Sequence, residues 1–219
     1  MEHIEHIISG FRHFRQHYFE NAPQLYRQLR EGQRPGCMLI GCSDSRVNPV
    51  QLFDCAPGDI FIQRNVANLV PPPGSVGPQG VLAAIEYAVS HLLVSHVIVL
   101  GHSGCGGIQA LMQRPEGAPA LPEGCCGQHL ERWIDMAAPV RARIMARMPH
   151  ASLGERCRAC EQESILASLE NLRALECVRR RCADGTLQVH GWYFDMDAGE
   201  LLAFSPQAGS FQPIGKERP

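Results

Sequence analysis

The chain of 219 residues has no long apolar run: nothing in it reaches the roughly 18 consecutive apolar residues of a membrane-spanning helix, so no span is expected. It also lacks charge of one dominant sign. Twenty Lys and Arg stand against 22 Asp and Glu, interspersed along the chain, for a formal charge of −2. That leaves no electrostatic footprint for nucleic acid or an anionic membrane. The opening MEHIEHIISGFRHF carries acids and histidines early and lacks the apolar core of a secretory signal, so a cytoplasmic location is expected, with a bacterial microcompartment as the alternative. Internal repeats and low-complexity segments are absent as well. Cysteine, by contrast, is abundant: ten residues, at 37, 42, 55, 105, 125, 126, 157, 160, 177 and 182. Without a secretion signal, such cysteines are expected to be metal ligands, nucleophiles or buried fillers rather than disulfides.

The apolar share of 45% is ordinary for a globular protein, and the length suits one α/β domain with a real core. Residues 1–32 predict amphipathic helix, with Ile4, Ile7, Ile8, Phe11, Phe14 and Tyr18 at spacings of one, three and four and with breaks expected at Gly10 and Pro23. Short apolar runs at 37–41, 59–63 and 96–100 predict buried strands, and 80–94 predicts a largely buried helix between the last two. That order implies a parallel sheet. Residues 128–147 and 160–180 predict long surface helices. Residues 187–194 predict a fourth strand, and 201–204 a short antiparallel strand at the sheet edge. The loop 114–127 is rich in Pro and Gly. The expected organisation is an arm at 1–35 and one α/β domain at 36–219, a parallel sheet of about four strands with an antiparallel edge strand, flanked by helices.

Ligands of open parallel sheets bind beyond the carboxyl ends of the strands. The first predicted strand runs into Cys42-Ser-Asp44-Ser-Arg46 and the third into His102-Ser-Gly-Cys105-Gly-Gly. Two thiolates and an imidazole at neighbouring strand ends favour zinc, and three protein ligands leave a fourth position open, the pattern of a catalytic site. Gly104, Gly106 and Gly107 suit a tight turn that opens a helix. Asp44 and Arg46, two apart, form a pair that keeps the carboxylate ionised and oriented. Taken singly each feature has a plainer reading: a buried cysteine as core filler, Asp-x-Arg as a loop salt bridge, GHSGCGG as a phosphate-binding turn. Their joint occurrence at two strand ends favours the metal.

GCSDSRV (41–47) and GHSGCGG (101–107) resemble the two signature motifs of the β-class carbonic anhydrases, and the resemblance extends through APGDIFIQRNVANLVPP (56–72), GVLAAIEYAV (80–89) and, more loosely, CEQESILASLENL (160–172) and GWYFD. It implies zinc on Cys42, His102 and Cys105, one ion per chain, with Asp44 and Arg46 as the catalytic dyad. It implies reversible hydration of carbon dioxide to bicarbonate, with zinc as the Lewis acid that makes hydroxide available. It implies a homodimer or larger homo-oligomer whose N-terminal arms lie over partner subunits. Gln33, nine residues before Cys42, matches the glutamine that plant-type members use to bind the anion, and Phe61, Val66 and Tyr87 match their apolar pocket at the dimer interface, with the Gly106 N–H as a further donor. For Phe61, Val66 and Tyr87 the alternative is plain core packing. In a regulated subgroup the aspartate closes onto zinc, governed by a bicarbonate pocket with a tryptophan, an arginine and a tyrosine. Here Leu39 stands at the tryptophan position while Arg64 is present and Tyr193 lies near the tyrosine; Gly41 and Val47 resemble that subgroup, Gln33 and Tyr87 the unregulated one. The missing tryptophan implies an open site with Asp44 on Arg46. Alternatives are the same scaffold acting on carbonyl sulfide or carbon disulfide, or a non-catalytic zinc-binding protein. Cys125, Cys126, Cys157 and Cys160 have no partners in a recognisable finger pattern and read as structural.

Overall fold

The computed structural model of the protein describes residues 2–75, 79–115, 117, 121–122 and 124–215. Residues 1–34 and 35–219 form two compact units.

In the first unit, α1 (Glu2–Phe14) continues through a wider π-type turn (Arg15–Phe19), and α2 (Pro23–Arg30) follows. Pro23 opens α2, where its fixed φ is already helical and its missing N–H is not needed. The break expected at Gly10 does not occur; a glycine inside a helix costs only about 1 kcal/mol relative to alanine. Tyr26 packs back on Phe14 and Phe19, at ring-centroid distances of 6.0 and 4.7 Å. The apolar stripe Ile4, Ile7, Ile8, Phe11 and Tyr18 stays exposed, Phe11 to 63%, so nothing in this unit covers it.

The second unit runs β1 (Cys37–Cys42), α3 (Pro49–Leu52), β2 (Ile60–Asn65), a 3-10 turn (Val66–Asn68), α4 (Gly80–Glu86) continuing into a π-type turn (Tyr87–His91), β3 (His96–His102) and α5 (Gly106–Gln113). It continues through α6 (Gln128–Ile134), α7 (Ala138–Arg147), α8 (Leu153–Ala174), α9 (Glu176–Ala183), β4 (Gln188–Asp195), β5 (Glu200–Ser205) and β6 (Ser210–Pro213). Among the described residues these strands form one six-stranded sheet in the order β2-β1-β3-β4-β5-β6. The first four are mutually parallel and the last two antiparallel, which bears out the α/β expectation. β6 was not anticipated from SFQP. Its sequence is half polar and includes Pro213, which a sheet tolerates only at an edge, and only Phe211 packs inward, 5.5 Å from Phe204.

Two helices expected as continuous are each broken. Pro139 at the start of α7 cannot extend α6, because it lacks the N–H and its ring clashes with the preceding turn. Leu175, extended at ψ 131°, separates α8 from α9. α8 also starts earlier than expected, behind a capping box of Ser152 and Glu155, and it is no surface helix: Ile165, Leu169 and Leu172 are buried against the sheet. Room for that approach comes from glycine on two neighbouring strands. A Cβ on Gly101 would lie 2.7 Å from Ile165 Cδ1, and one on Gly191 2.9 Å from Leu169 Cδ1. The Pro/Gly-rich loop 114–127 falls partly outside the described residues. Among the described residues no helix is long and apolar enough to cross a membrane.

Candidate active site

Cys42 is the last residue of β1 and His102 the last of β3, strands that pair side by side, so the sheet itself delivers both side chains to one place. Cys105 follows on the turn that opens α5. All three are buried, their ligating atoms lie within 4.8 Å of one another, and the two sulfurs are 3.9 Å apart. Among the described residues this is the one grouping of three or more His, Cys, Asp or Glu donors arranged to hold a metal ion. His102 Nδ1 lies 3.0 Å from the Ser103 carbonyl, which can only accept, so Nδ1 carries the proton and Nε2 presents a lone pair. That Nε2 is buried without a hydrogen-bond partner. A buried acceptor left unpaired costs on the order of 1–3 kcal/mol, so the atom is built for a ligand beyond the protein.

The sulfurs behave as a coupled pair. Cys42 is drawn down, first by the Cys105 thiol beside it and against the effect of burial, then by the Asp44 N–H, 3.4 Å from its sulfur. Cys105 is pushed up in turn, by Cys42 and by burial. A thiolate is therefore available at this position without a strong base.

Asp44 faces the cluster with Oδ2 3.9 Å from His102 Nε2. Arg46 grips both carboxylate oxygens, Nε to Oδ1 at 2.9 Å and Nη2 to Oδ2 at 2.7 Å, and Nη2 also donates to the Gly104 carbonyl at 2.8 Å. The Arg46 guanidinium holds the Asp44 carboxyl well below the usual carboxylate range. Arg64 secures the same loop from β2 by donating to the carbonyls of Cys42, Asp44 and Val47, which occupies the arginine that a bicarbonate pocket would need. Leu39 is buried in the core, and Tyr193, also buried, donates to Glu161 at 2.8 Å.

Glu161 was not foreseen as a site residue. Its Oε1 accepts the Cys105 N–H at 3.0 Å, and burial raises its pKa against the pull of Tyr193 and that N–H. One signal pointed to it: Glu161 lies four residues before Ile165 on the buried face of α8, where a carboxylate needs a reason. Trp133 was missed too, and LERWIDM carries no comparable sign.

The expected pocket residues are not brought together within this chain. Val66 lines an open cleft of about 370 Å3 with Ser43, Gln63, Asn65, Val81 and Trp133. Phe61 and Tyr87 are not part of that lining; their rings pack on each other with centroids 5.9 Å apart. Gly106 opens α5 directly after Cys105. Gln33 belongs to the first unit and is exposed. None of the described cysteines is paired, and Cys160 is pushed up to about 12 by burial, which suits a core filler rather than a redox group.

Residues 37–201 match the family described as carbonic anhydrase. "Beta carbonic anhydrase 3" of Arabidopsis thaliana is 37% identical over 197 residues, covering 90% of this chain and 74% of the relative. "Carbonic anhydrase" of Synechococcus elongatus is 34% identical over 203 residues, covering 91% of this chain and 71% of the relative. Among solved structures, the β-carbonic anhydrase CcaA superposes with a TM-score of 0.88 at 30% identity, covering 99% of this chain and 94% of that one. A structure described among two tetrameric β-carbonic anhydrases of Sordaria macrospora gives a TM-score of 0.81 at 28% identity, covering 94% of this chain and 98% of that one.

Proposed function

Since the chain belongs to the β-class carbonic anhydrases, we propose that it interconverts carbon dioxide and bicarbonate at a zinc ion held by Cys42, His102 and Cys105. The unpaired, buried Nε2 of His102 beside two sulfurs is the observation that carries this reading. Two bonds of about 2.3 Å at a tetrahedral angle span about 3.8 Å, close to the observed 3.9 Å between the sulfurs. Thiolate and imidazole together favour zinc over the harder cations, and three protein donors leave one position for solvent or substrate. When bound, zinc supplies a Lewis acid that makes hydroxide available near neutral pH.

The protein's own residues do the rest. Asp44, ionised by Arg46, offers only acceptors, so it takes the proton of the attacking oxygen as a hydrogen bond and turns a lone pair toward carbon dioxide. Arg46 keeps Asp44 in that posture through its added bond to Gly104, the open arrangement in which the carboxylate serves the nucleophile rather than the metal. The Val66 cleft supplies apolar wall, which a molecule without net charge requires, and the Gly106 N–H a donor for the anionic product. Phe61, Tyr87 and Gln33 are assigned to the part of the pocket formed across a subunit interface, in a homo-oligomer whose arms at 1–35 cover one another's exposed stripes. The tetrameric relatives and the exposed Ile4, Ile7 and Phe11 support that assembly. Ten unpaired cysteines suit a reducing, cytoplasmic setting.

The test is zinc analysis combined with stopped-flow carbon dioxide hydration. About one zinc per chain and catalysed hydration are expected, with both lost in Cys105→Ser. Full zinc occupancy in Cys105→Ser would remove that ligand from the site.

A further inference from the structure

The backbone beside Cys42 is strained. Ala67 and Asn68 are consecutive non-glycine residues at positive φ, 63° and 48°, and both are buried. A left-handed alanine costs on the order of 1–2 kcal/mol and persists only where its surroundings hold it. The turn lies against the metal-ligand cluster: Ala67 is buried in the same apolar cluster as Cys42 and Cys105. Asn65 closes the turn from one end, accepting the Leu69 N–H at 2.9 Å and donating to the Leu69 carbonyl at 3.0 Å. α5 packs so closely on it that a Cβ at Gly107 would lie 2.7 Å from Val66 Cγ1. The other end is held by one long-range contact: Trp133, on α6, donates its indole N–H to the Val66 carbonyl at 2.7 Å. The same ring lines the cleft beside Val66 and packs against both the core under the sheet and the cluster that contains Cys42, Ala67 and Cys105.

We infer that Trp133 is a positioning residue for the reaction: by holding the Val66 carbonyl it keeps the left-handed turn packed against Cys42 and sets one wall of the carbon dioxide cleft. This rests on the functional reading above. Trp133 is not itself one of the metal ligands; it acts through residues 66–68. The bond is well suited to that task, since a carbonyl gripped by a side chain rooted in two packed clusters cannot rotate without dragging the ring out of its contacts.

The experiment uses the full-length protein in its zinc form and with cobalt(II) in place of zinc. Trp133→Phe keeps an aromatic wall and removes the N–H. Metal per chain is expected to stay unchanged, kcat/KM for hydration to fall about 5- to 30-fold, and the cobalt–thiolate charge-transfer band to shift. Adding Ala67→Gly relieves the penalty on the left-handed turn and is expected to restore much of the lost kcat/KM and return the band. A tryptophan that only filled space would lower thermal stability and leave the band in place, with no rescue by Ala67→Gly. Wild-type kcat/KM and an unshifted band in Trp133→Phe overturn the assignment. If Trp133→Phe alone does not fold, the double variant is read instead, and its failure to fold also overturns it. A wild-type protein that binds metal yet does not hydrate carbon dioxide would end the functional reading, while the cobalt band would still decide the role of Trp133.

Discussion

Asp44 meets Arg46 through both carboxylate oxygens, so its charge and its direction are set by one partner two residues away. Asp44→Asn keeps the shape but replaces one acceptor with a donor and discards the charge. Zinc content is expected to persist while turnover falls by roughly 10²-fold, the scale of a lost proton-orienting group, as read by metal analysis beside stopped-flow kinetics. Turnover near wild type would reduce the pair to a loop salt bridge. A second carboxylate governs stability instead. Burial alone would raise the pKa of Asp195, but the Arg158 guanidinium at 2.8 Å and the N–H groups of Ala198 and Asp197 outweigh it, and the net shift is downward. A carboxyl lowered on folding stabilises fully above its unfolded pKa of about 4, and that contribution is lost as pH falls through the lower, folded value. Asp195→Asn is therefore expected to melt below wild type at pH 7 and to converge with it as the pH drops below about 4, in parallel thermal melts. A gap of constant size across that range would assign the effect to something other than the charge.

The elements are placed by close approach. α8 reaches the sheet because β3 and β4 each offer a glycine beneath it, and the buried carboxylate of Glu161 rides on the same helix to the Cys105 N–H. Gly101→Ala would drive a methyl group into the buried Ile165, and overpacking of this kind costs about 1–3 kcal/mol. A lower melting temperature is expected, and because Gly101 directly precedes His102, some loss of activity beside it. An unchanged melting temperature would mean that α8 has slack the packing does not suggest. Helix breaks tell the same story in the other direction. Pro139 was visible in the sequence and explains the end of α6, whereas the extended Leu175 has no breaker beside it, and its position follows from how α8 and α9 both bury apolar faces on the sheet.

For the molecule as a whole, the exposed stripe of α1 asks for a second copy of the chain. Deleting residues 1–22 is expected to yield monomers or aggregates in sedimentation or light scattering, while the intact protein runs as a dimer or larger; a soluble, active monomer after the deletion would refute the assembly. Much of this protein was determined by local sequence. The strands β1 and β3 followed from short apolar runs, because a strand buried on both faces needs nothing else, whereas β2, expected as buried, is only half-buried because it lies at the sheet edge. The donors Cys42, His102 and Cys105 and the pair Asp44–Arg46 were legible because each group sits within a few residues of a strand end, where chain geometry alone confines them. Tertiary structure decided the rest. Glu161 and Trp133 reach the site from 56 and 67 residues away in sequence, so no local spacing records their contacts with Cys105 and Val66. Val66 joins the cleft while Phe61 and Tyr87 pair elsewhere, although all three looked equally apolar in the chain. The left-handed Ala67 has no sequence mark either. A strained backbone is tolerated only where long-range packing over-determines it, and that packing exists only once the sheet and helices have come together.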